Sequence, residues 1–319
     1  MALLLNESEV RALVPVLDLV DVMERALASF SAGEVTQPVR ASVDLDHAFF
    51  GVMPAYLGAP PALGAKLVTV FAGNAAKGLP ALYASIVLLD PETGALAAIM
   101  DGRYITAART AAVSAVAVRH LSRTDAQVLA ILGSGVQARS HVEALSRIRS
   151  FREIRAWSPT PEHLARFVSD EPSARPAASA EVAVREANVI VLATSSSTPV
   201  IQSDWVAAGA LVISLGAYQP HMREMDPALS ARARLIVDSR AAALVEAGDI
   251  VQGIREGRFT EEHIAAELGE VVLGRVPGRR AMDEVVIFKS LGMAVEDVAA
   301  ARLAYTRAVE QGMGCEISW

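Results

Sequence analysis

Two groups of residues in the 319-residue sequence have the types and spacing to do chemistry. The first is Gly133-Ser134-Gly135-Val136-Gln137-Ala138, a G-x-G-x-x-A run between the apolar stretch QVLAIL and a helical segment reaching about Arg149. In such a run the first glycine allows a tight turn and the second lets backbone approach a pyrophosphate. A small third residue then permits close helix–strand packing. The phosphates would rest at the helix N-terminus, where free N–H groups and the helix dipole favour anions. The alternative is a glycine-rich turn that serves packing alone. The second group is three cations: Arg40 shortly after Pro38, Lys66 inside GAKLV, and Arg109 within DGRYITAARTAA. Lys66 interrupts an apolar strand and Arg109 an Ala-rich helix. Charges on buried faces are costly unless paired, so each should meet a partner or a ligand. Arginine suits bidentate carboxylate recognition, and lysine suits proton transfer or a point-charge contact. A structural salt bridge or a solvated face remains the alternative for each.

The elements that must position these residues fall into two patterns. Residues 7–32 read as an amphipathic helix pair, with Leu13, Val16, Val20, Met23, Leu27 and Phe30 spaced for one buried face. From Arg40 to about Met100, short apolar runs (GVMPAYL, GAKLVTVF, LYASIVLLD, ALAAIM) alternate with Gly, Pro and Asp, as in a mostly antiparallel or mixed sheet. PETG after IVLLD is a hairpin-type turn. Thr106 to Leu121 reads as a helix with Thr106 as its N-cap. Beyond Asp125 the pattern changes to buried strands alternating with helices: QVLAIL, IRAW, NVIVLAT, ALVISLG and RLIVD. Continuous apolar strands of this kind belong to a parallel sheet covered on both faces. Asp283 to Gln311 reads as helical throughout. The fold class expected is α/β, a Rossmann-type doubly wound sheet plus a discontinuous α+β domain. The domain limits expected are 1–122 with 298–319 for the discontinuous part, and 123–297 for the dinucleotide-binding part.

Composition removes several classes of function. The length suits two domains at roughly 150 residues each, and 52% apolar residues exclude a disordered chain. With 29 Lys and Arg against 36 Asp and Glu, the net charge of -7 argues against nucleic acid or anionic membrane as partner. A lone cysteine, Cys315, excludes a disulfide framework and a cysteine-based zinc site, and it fits a reducing cytoplasm. The start MALLLNESEV lacks the features of a signal peptide, and no run approaches the roughly 18 apolar residues of a membrane span. His47, His120, His141, His163, His221 and His263 have no ligand spacing, so no metal is expected. Neither a G-x-S-x-G elbow nor a Walker A run occurs. At the end of the second strand of the nucleotide half stands Trp157-Ser158-Pro159-Thr160, with no carboxylate for a ribose 2′-OH. That absence favours NADP(H) as cofactor, while the lack of a following arginine leaves NAD(H) open.

Five segments together resemble the ornithine cyclodeaminase/mu-crystallin family. They are DGRYITAARTAAVSA, GSGVQAR, SLGAYQPHMREMDP, VDSRAAALVEAGDI and DEVVIFKSLGMAVEDVAAA, and the resemblance extends from about Arg40 to Gly314. It implies a Rossmann domain, a discontinuous domain that binds substrate and forms a homodimer, and NAD(P)-dependent chemistry on imines of 2-oxo acids or on amino acids. By the same resemblance Arg40, Lys66 and Arg109 would hold the substrate carboxylate, with Lys66 near the reacting centre and Arg109 also reaching the cofactor. Gly133, Gly135, Val136 and Gln137 would line the pyrophosphate, Ser158 would face the adenosine ribose, and Thr194 would lie along the cofactor. Ser290 would approach the nicotinamide and Leu291 the substrate. Asp297 matches an acid of the family's VEDVA-type motif, without an assigned role. One departure bears on substrate: cyclodeaminases carry an aspartate in a G-G-D-C-P-type loop, and here the loop is Gly216-Ala217-Tyr218-Gln219-Pro220. A neutral, bulky phenol cannot pair with a distal ammonium, which disfavours ornithine cyclodeamination. The expected activity is reduction of a small cyclic ketimine carboxylate such as Δ1-pyrroline-2-carboxylate. The alternatives are an alanine-dehydrogenase-type oxidoreductase, an ornithine cyclodeaminase that manages without the aspartate, or an NADP-dependent binding protein without enzymatic activity.

Overall fold

A computed structural model of the chain describes residues 1–45 and 48–318; His47 lies outside the described residues. The chain divides into two compact units, Met1–Arg109 with Gly292–Trp319, and Thr110–Leu291. The expected limits at 122/123 and 297/298 thus stand beside divisions at 109/110 and 291/292. The first of these divisions falls inside one helix, Arg103–Leu121, whose unbroken alanine-rich run carries no sequence signal of a boundary. No helix among the described residues is long and apolar enough to cross a membrane.

In the first unit, a mixed sheet runs in the order Cys315–Ile317, Ala2–Leu5, Leu96–Asp101, Leu82–Leu89, Ala62–Phe71, Ala48–Leu57, Val35–Thr36, with Ala41–Leu45 also paired to Ala48–Leu57. The four central apolar runs form antiparallel strands, and the PETG turn joins two of them, with Asp90 Oδ1 accepting from the Thr93 amide at 2.8 Å. Period-two alternation places Met53, Lys66 and Ile86 side by side on the inner face, because Met53 and Ile86 are the cross-strand neighbours of Lys66. The helix Ala294–Gln311 packs on this face together with the pair Glu7–Leu13 and Val16–Ser31. Its buried Ala299, Ala300, Ala304 and Ala308 let it approach the strands closely, and Gly312 ends it at φ 63°.

The second unit is built on eight parallel strands. Their order is Ala174–Pro176, Glu153–Trp157, Val128–Leu132, Val189–Leu192, Leu211–Ser214, Val286–Lys289, Arg234–Val237, Ile264–Glu267. The order reverses between Val128–Leu132 and Val189–Leu192, the switch point at which open α/β sheets bind ligands beyond their strand ends. Every residue of the strands Val128–Leu132, Val189–Leu192, Leu211–Ser214 and Val286–Lys289 is buried, as continuous apolar runs require. This is the expected doubly wound sheet.

Two local expectations are corrected. Thr106 does not cap its helix: the helix starts at Arg103, whose amide donates to Asp101 Oδ1 at 2.8 Å, while the Thr106 hydroxyl donates back to the Gly102 carbonyl. The segment from Asp283 is not helical throughout. Val286–Lys289 forms a central strand, and the helix begins only at Ala294. The consecutive β-branched and aromatic residues Val285, Val286, Ile287 and Phe288 outweigh the helical period read across them.

Candidate functional site

In the first unit the structure brings Arg40, Lys66 and Arg109 into one electrostatic cluster. Lys66 projects from the inner face of the sheet and is buried, with its Nζ 2.6 Å from Asp297 Oδ2. Arg109, also buried, donates from Nε to Asp297 Oδ1 at 2.9 Å and lies 2.5 Å from Glu296 Oε2 through Nη1. Both acids stand in the first turn of Ala294–Gln311, where the helix dipole favours negative charge, and the Val295 amide of that turn donates to Gln37 Oε1. Arg40 reaches the Gly292 carbonyl at 3.4 Å. Burial lowers the Lys66 amine from 10.5 to about 8; Asp297 opposes the shift, and the nearby charges of Arg109 and Arg40 deepen it. Two of these cations thus meet two carboxylates side chain to side chain, with the charge of Arg40 nearby. Guanidinium and ammonium groups gathered in this way can take a ligand carboxylate. Asp297 was recognised in the sequence without a role, and Glu296 was missed. A pair of acids at a helix start carries no local sign of which cations it meets.

The second unit carries the glycine run at the switch point. Gly133 follows Val128–Leu132 at φ 121°, and a Cβ there would lie 2.3 Å from the Ala193 carbonyl oxygen, so only glycine fits. Gly135 is the N-cap of the helix Val136–Ile148, with no side-chain cap, and a Cβ added to it would meet nothing within 4 Å. The first turn therefore presents its N–H groups to an open space, as a pyrophosphate site requires. Ser158, after the second strand, accepts from the Ser134 hydroxyl at 3.1 Å. Two polar atoms of residues expected at the cofactor are buried without a hydrogen-bond partner, Gln137 Oε1 and Ser290 Oγ. Unmet polar atoms of this kind, in the unit whose helix start is left open by Gly135, fit a dinucleotide. Leu291 contributes its side chain to the unit's apolar core, and its amide donates to Asp238 Oδ2.

Two buried polar groups escaped the sequence reading. His141 is buried, its Nδ1–H donates to the Gln137 carbonyl at 2.7 Å, and its Nε2 therefore accepts from the Ser114 hydroxyl at 2.8 Å. Burial lowers this imidazole from 6.5 to about 4, so it stays neutral while holding the first turn of the helix Val136–Ile148. The other group joins Thr194, Ser214, Gly216, Glu224, Asp249 and Lys289 at the ends of the central strands. Nothing in the spacing of Glu224, Asp249 and Lys289 along the chain marks them as neighbours.

The architecture has counterparts among known proteins. A model of the ornithine cyclodeaminase/mu-crystallin family matches residues 1–312. The chain is 44% identical over 293 residues to the ketimine reductase mu-crystallin of Rattus norvegicus, covering 90% of this chain and 91% of the relative. Its structure is similar to that of Thermococcus litoralis Δ1-pyrroline-2-carboxylate reductase in complex with NADH and L-proline. That match has TM-score 0.97 and 35% identity over 99% of this chain and all of the other. It is similar also to an archaeal alanine dehydrogenase dimer with bound NAD, at TM-score 0.95 and 32% identity over 100% of this chain and 99% of the other. With the cation cluster, the glycine cradle and the eight parallel strands already in place, these matches establish that the chain belongs to the ornithine cyclodeaminase/mu-crystallin family.

Proposed function

We propose that the protein is an NAD(P)H-dependent oxidoreductase acting on CH–NH bonds, and that it reduces a small cyclic ketimine carboxylate such as Δ1-pyrroline-2-carboxylate to proline. The observation that carries the reading is the buried Lys66 amine, lowered to about 8 and held by Asp297 beside the charges of Arg109 and Arg40. Arg40 and Arg109 bind and orient the carboxylate, which fixes the adjacent imine carbon. Lys66 supplies the proton that the imine nitrogen takes up as its carbon gains a hydride, and the amine is recharged from solvent. A bound reduced nicotinamide supplies that hydride. Gly133, Gly135, Val136 and Gln137 hold the pyrophosphate, Ser158 the adenosine ribose, and Thr194 and Ser290 the remainder of the cofactor. Substrate binding and dimerisation fall to the first unit and dinucleotide binding to the second.

The strand Glu153–Trp157 ends in Ser158 with no carboxylate beside it in sequence, which supports NADP(H) over NAD(H). Tyr218 packs against the apolar core of its unit in the place of the cyclodeaminase aspartate, and this favours imine reduction over ornithine cyclisation. Likeness to an alanine dehydrogenase favours a second reading, reductive amination of pyruvate. A homodimer is supported by the outer face of the first unit's sheet, where Tyr56, Leu67, Phe71 and Tyr83 are each about 40% exposed on neighbouring strands.

The test is the rate of NADPH and NADH oxidation with Δ1-pyrroline-2-carboxylate, run beside pyruvate plus ammonia. Imine-dependent oxidation is expected, faster with NADPH. Oxidation only with pyruvate and ammonia would transfer the reading to alanine dehydrogenase, and none with either would leave a binding protein.

A further inference from the structure

Beneath the strand ends of the second unit, one carboxylate holds two loops at once. Glu224 is buried, and four donors converge on its two oxygens. Oε1 accepts from the Thr194 amide at 2.9 Å and the Thr194 hydroxyl at 2.7 Å. Oε2 accepts from the Gly216 amide at 2.8 Å and the Ser214 hydroxyl at 2.9 Å. Thr194 follows the strand Val189–Leu192, and Gly216 opens the loop that carries Tyr218. The two loops touch: a Cβ on Gly216 would lie 1.8 Å from the Thr194 carbonyl oxygen and 2.5 Å from Glu224 Oε1. Lys289 extends the network to a third strand end by donating to Ser214 Oγ at 3.0 Å. The next residue, Ser290, donates its amide to the Ser214 carbonyl and keeps a buried hydroxyl without a partner. Asp249 anchors the segment that bears Glu224, accepting from the Glu224 and Met225 amides at 3.0 Å each.

Resting on the dinucleotide reading of this unit, we infer that Glu224 is a positioning residue for the nicotinamide half of the cofactor. Glu224 touches no ligand itself. It fixes Thr194 and the 216–220 loop relative to Ser214 and Ser290, so the groups that meet the second half of the dinucleotide are in place before binding. The pyrophosphate cradle at Gly133–Gln137 is held by other contacts, among them His141 on the Gln137 carbonyl. The two halves of the site are thus organised by different buried groups.

A glutamine at this position offers one acceptor and one donating NH₂ to four donors, and either orientation sets the NH₂ against a backbone N–H, that of Thr194 or that of Gly216. Titration calorimetry of Glu224→Gln with NADH and, separately, with ADP reads the two halves apart. NADH affinity should fall roughly tenfold or more while ADP affinity stays at the wild-type value. Ser214→Ala removes one donor with little change in shape, and should weaken NADH roughly three- to tenfold with ADP unchanged; it decides the matter if Glu224→Gln does not fold. Equal losses for NADH and ADP, or an unchanged NADH affinity, overturn the inference alone. Wild-type protein that binds none of NADPH, NADH and ADP overturns the dinucleotide reading, and this inference with it.

Discussion

Both units bury a lysine against acidic side chains, yet the two clusters are built for different ends. In the first unit Lys66 and Arg109 lie against the carboxylates of Asp297 and Glu296, side chain to side chain, with the charge of Arg40 nearby. In the second, Lys289 stands among Glu224 and Asp249, and those acids are occupied largely by backbone amides of Thr194, Gly216, Glu224 and Met225. Guanidinium and ammonium groups gathered in one place have the chemistry to take an anionic ligand. Acids saturated by the protein's own amides have no such capacity, and they hold loops instead. Equal burial therefore says little about role; what differs is whether the acids are met by side-chain cations or by backbone amides.

The sharpest way to break this comparison is Lys66→Met. Turnover on the imine should fall about 10²–10⁴-fold, the range for losing a positioned acid, with NADH affinity near wild type in a direct titration. Parallel losses in turnover and cofactor affinity would make Lys66 as structural as Lys289. The counterpart in the second unit is Asp249→Ala, which strands two backbone amides and leaves Lys289 short of an acid. Urea unfolding should show a loss of about 3–5 kcal/mol; a loss below 1 kcal/mol would remove the holding role assigned to this network. The smallest effect is expected from pH. If Lys66 donates the proton, the reductive kcat/KM is high while the amine is charged and declines as pH rises through about 8. Asp297 raises that amine, so Asp297→Asn should move the declining limb to lower pH, and an unmoved limb would detach Asp297 from the proton step.

Much of the second unit could be read from the chain because its signals are local. Runs such as VLAIL and LVIS are apolar without interruption, so both faces must be covered, and the glycines at 133 and 135 sit where strand passes to helix. The amphipathic pair within residues 7–32 was equally plain, since one face carries its period. VIFK was harder. Four buried residues cannot display a period that separates strand from helix, and only its place between Leu211–Ser214 and Arg234–Val237 makes it a strand. The short edge strands Ala174–Pro176 and Ile264–Glu267 were missed for a similar reason.

By itself, then, the sequence determined the two-part organisation, the parallel sheet, the glycine turn between its first strand and helix, and the identity of three cations that had to meet something. Each follows from residue type and short-range spacing, which act through local sterics and the cost of burying charge. Only the tertiary structure decided what those cations meet. Lys66 lies on a strand and Asp297 on a helix far along the chain, and a buried charge accepts any opposite partner that the packing brings within reach. The same holds for Glu224, an ordinary acid in the run REMDP until two strand-end loops close around it. Charge pairing is set by distance in space, and distance in space is what the fold supplies.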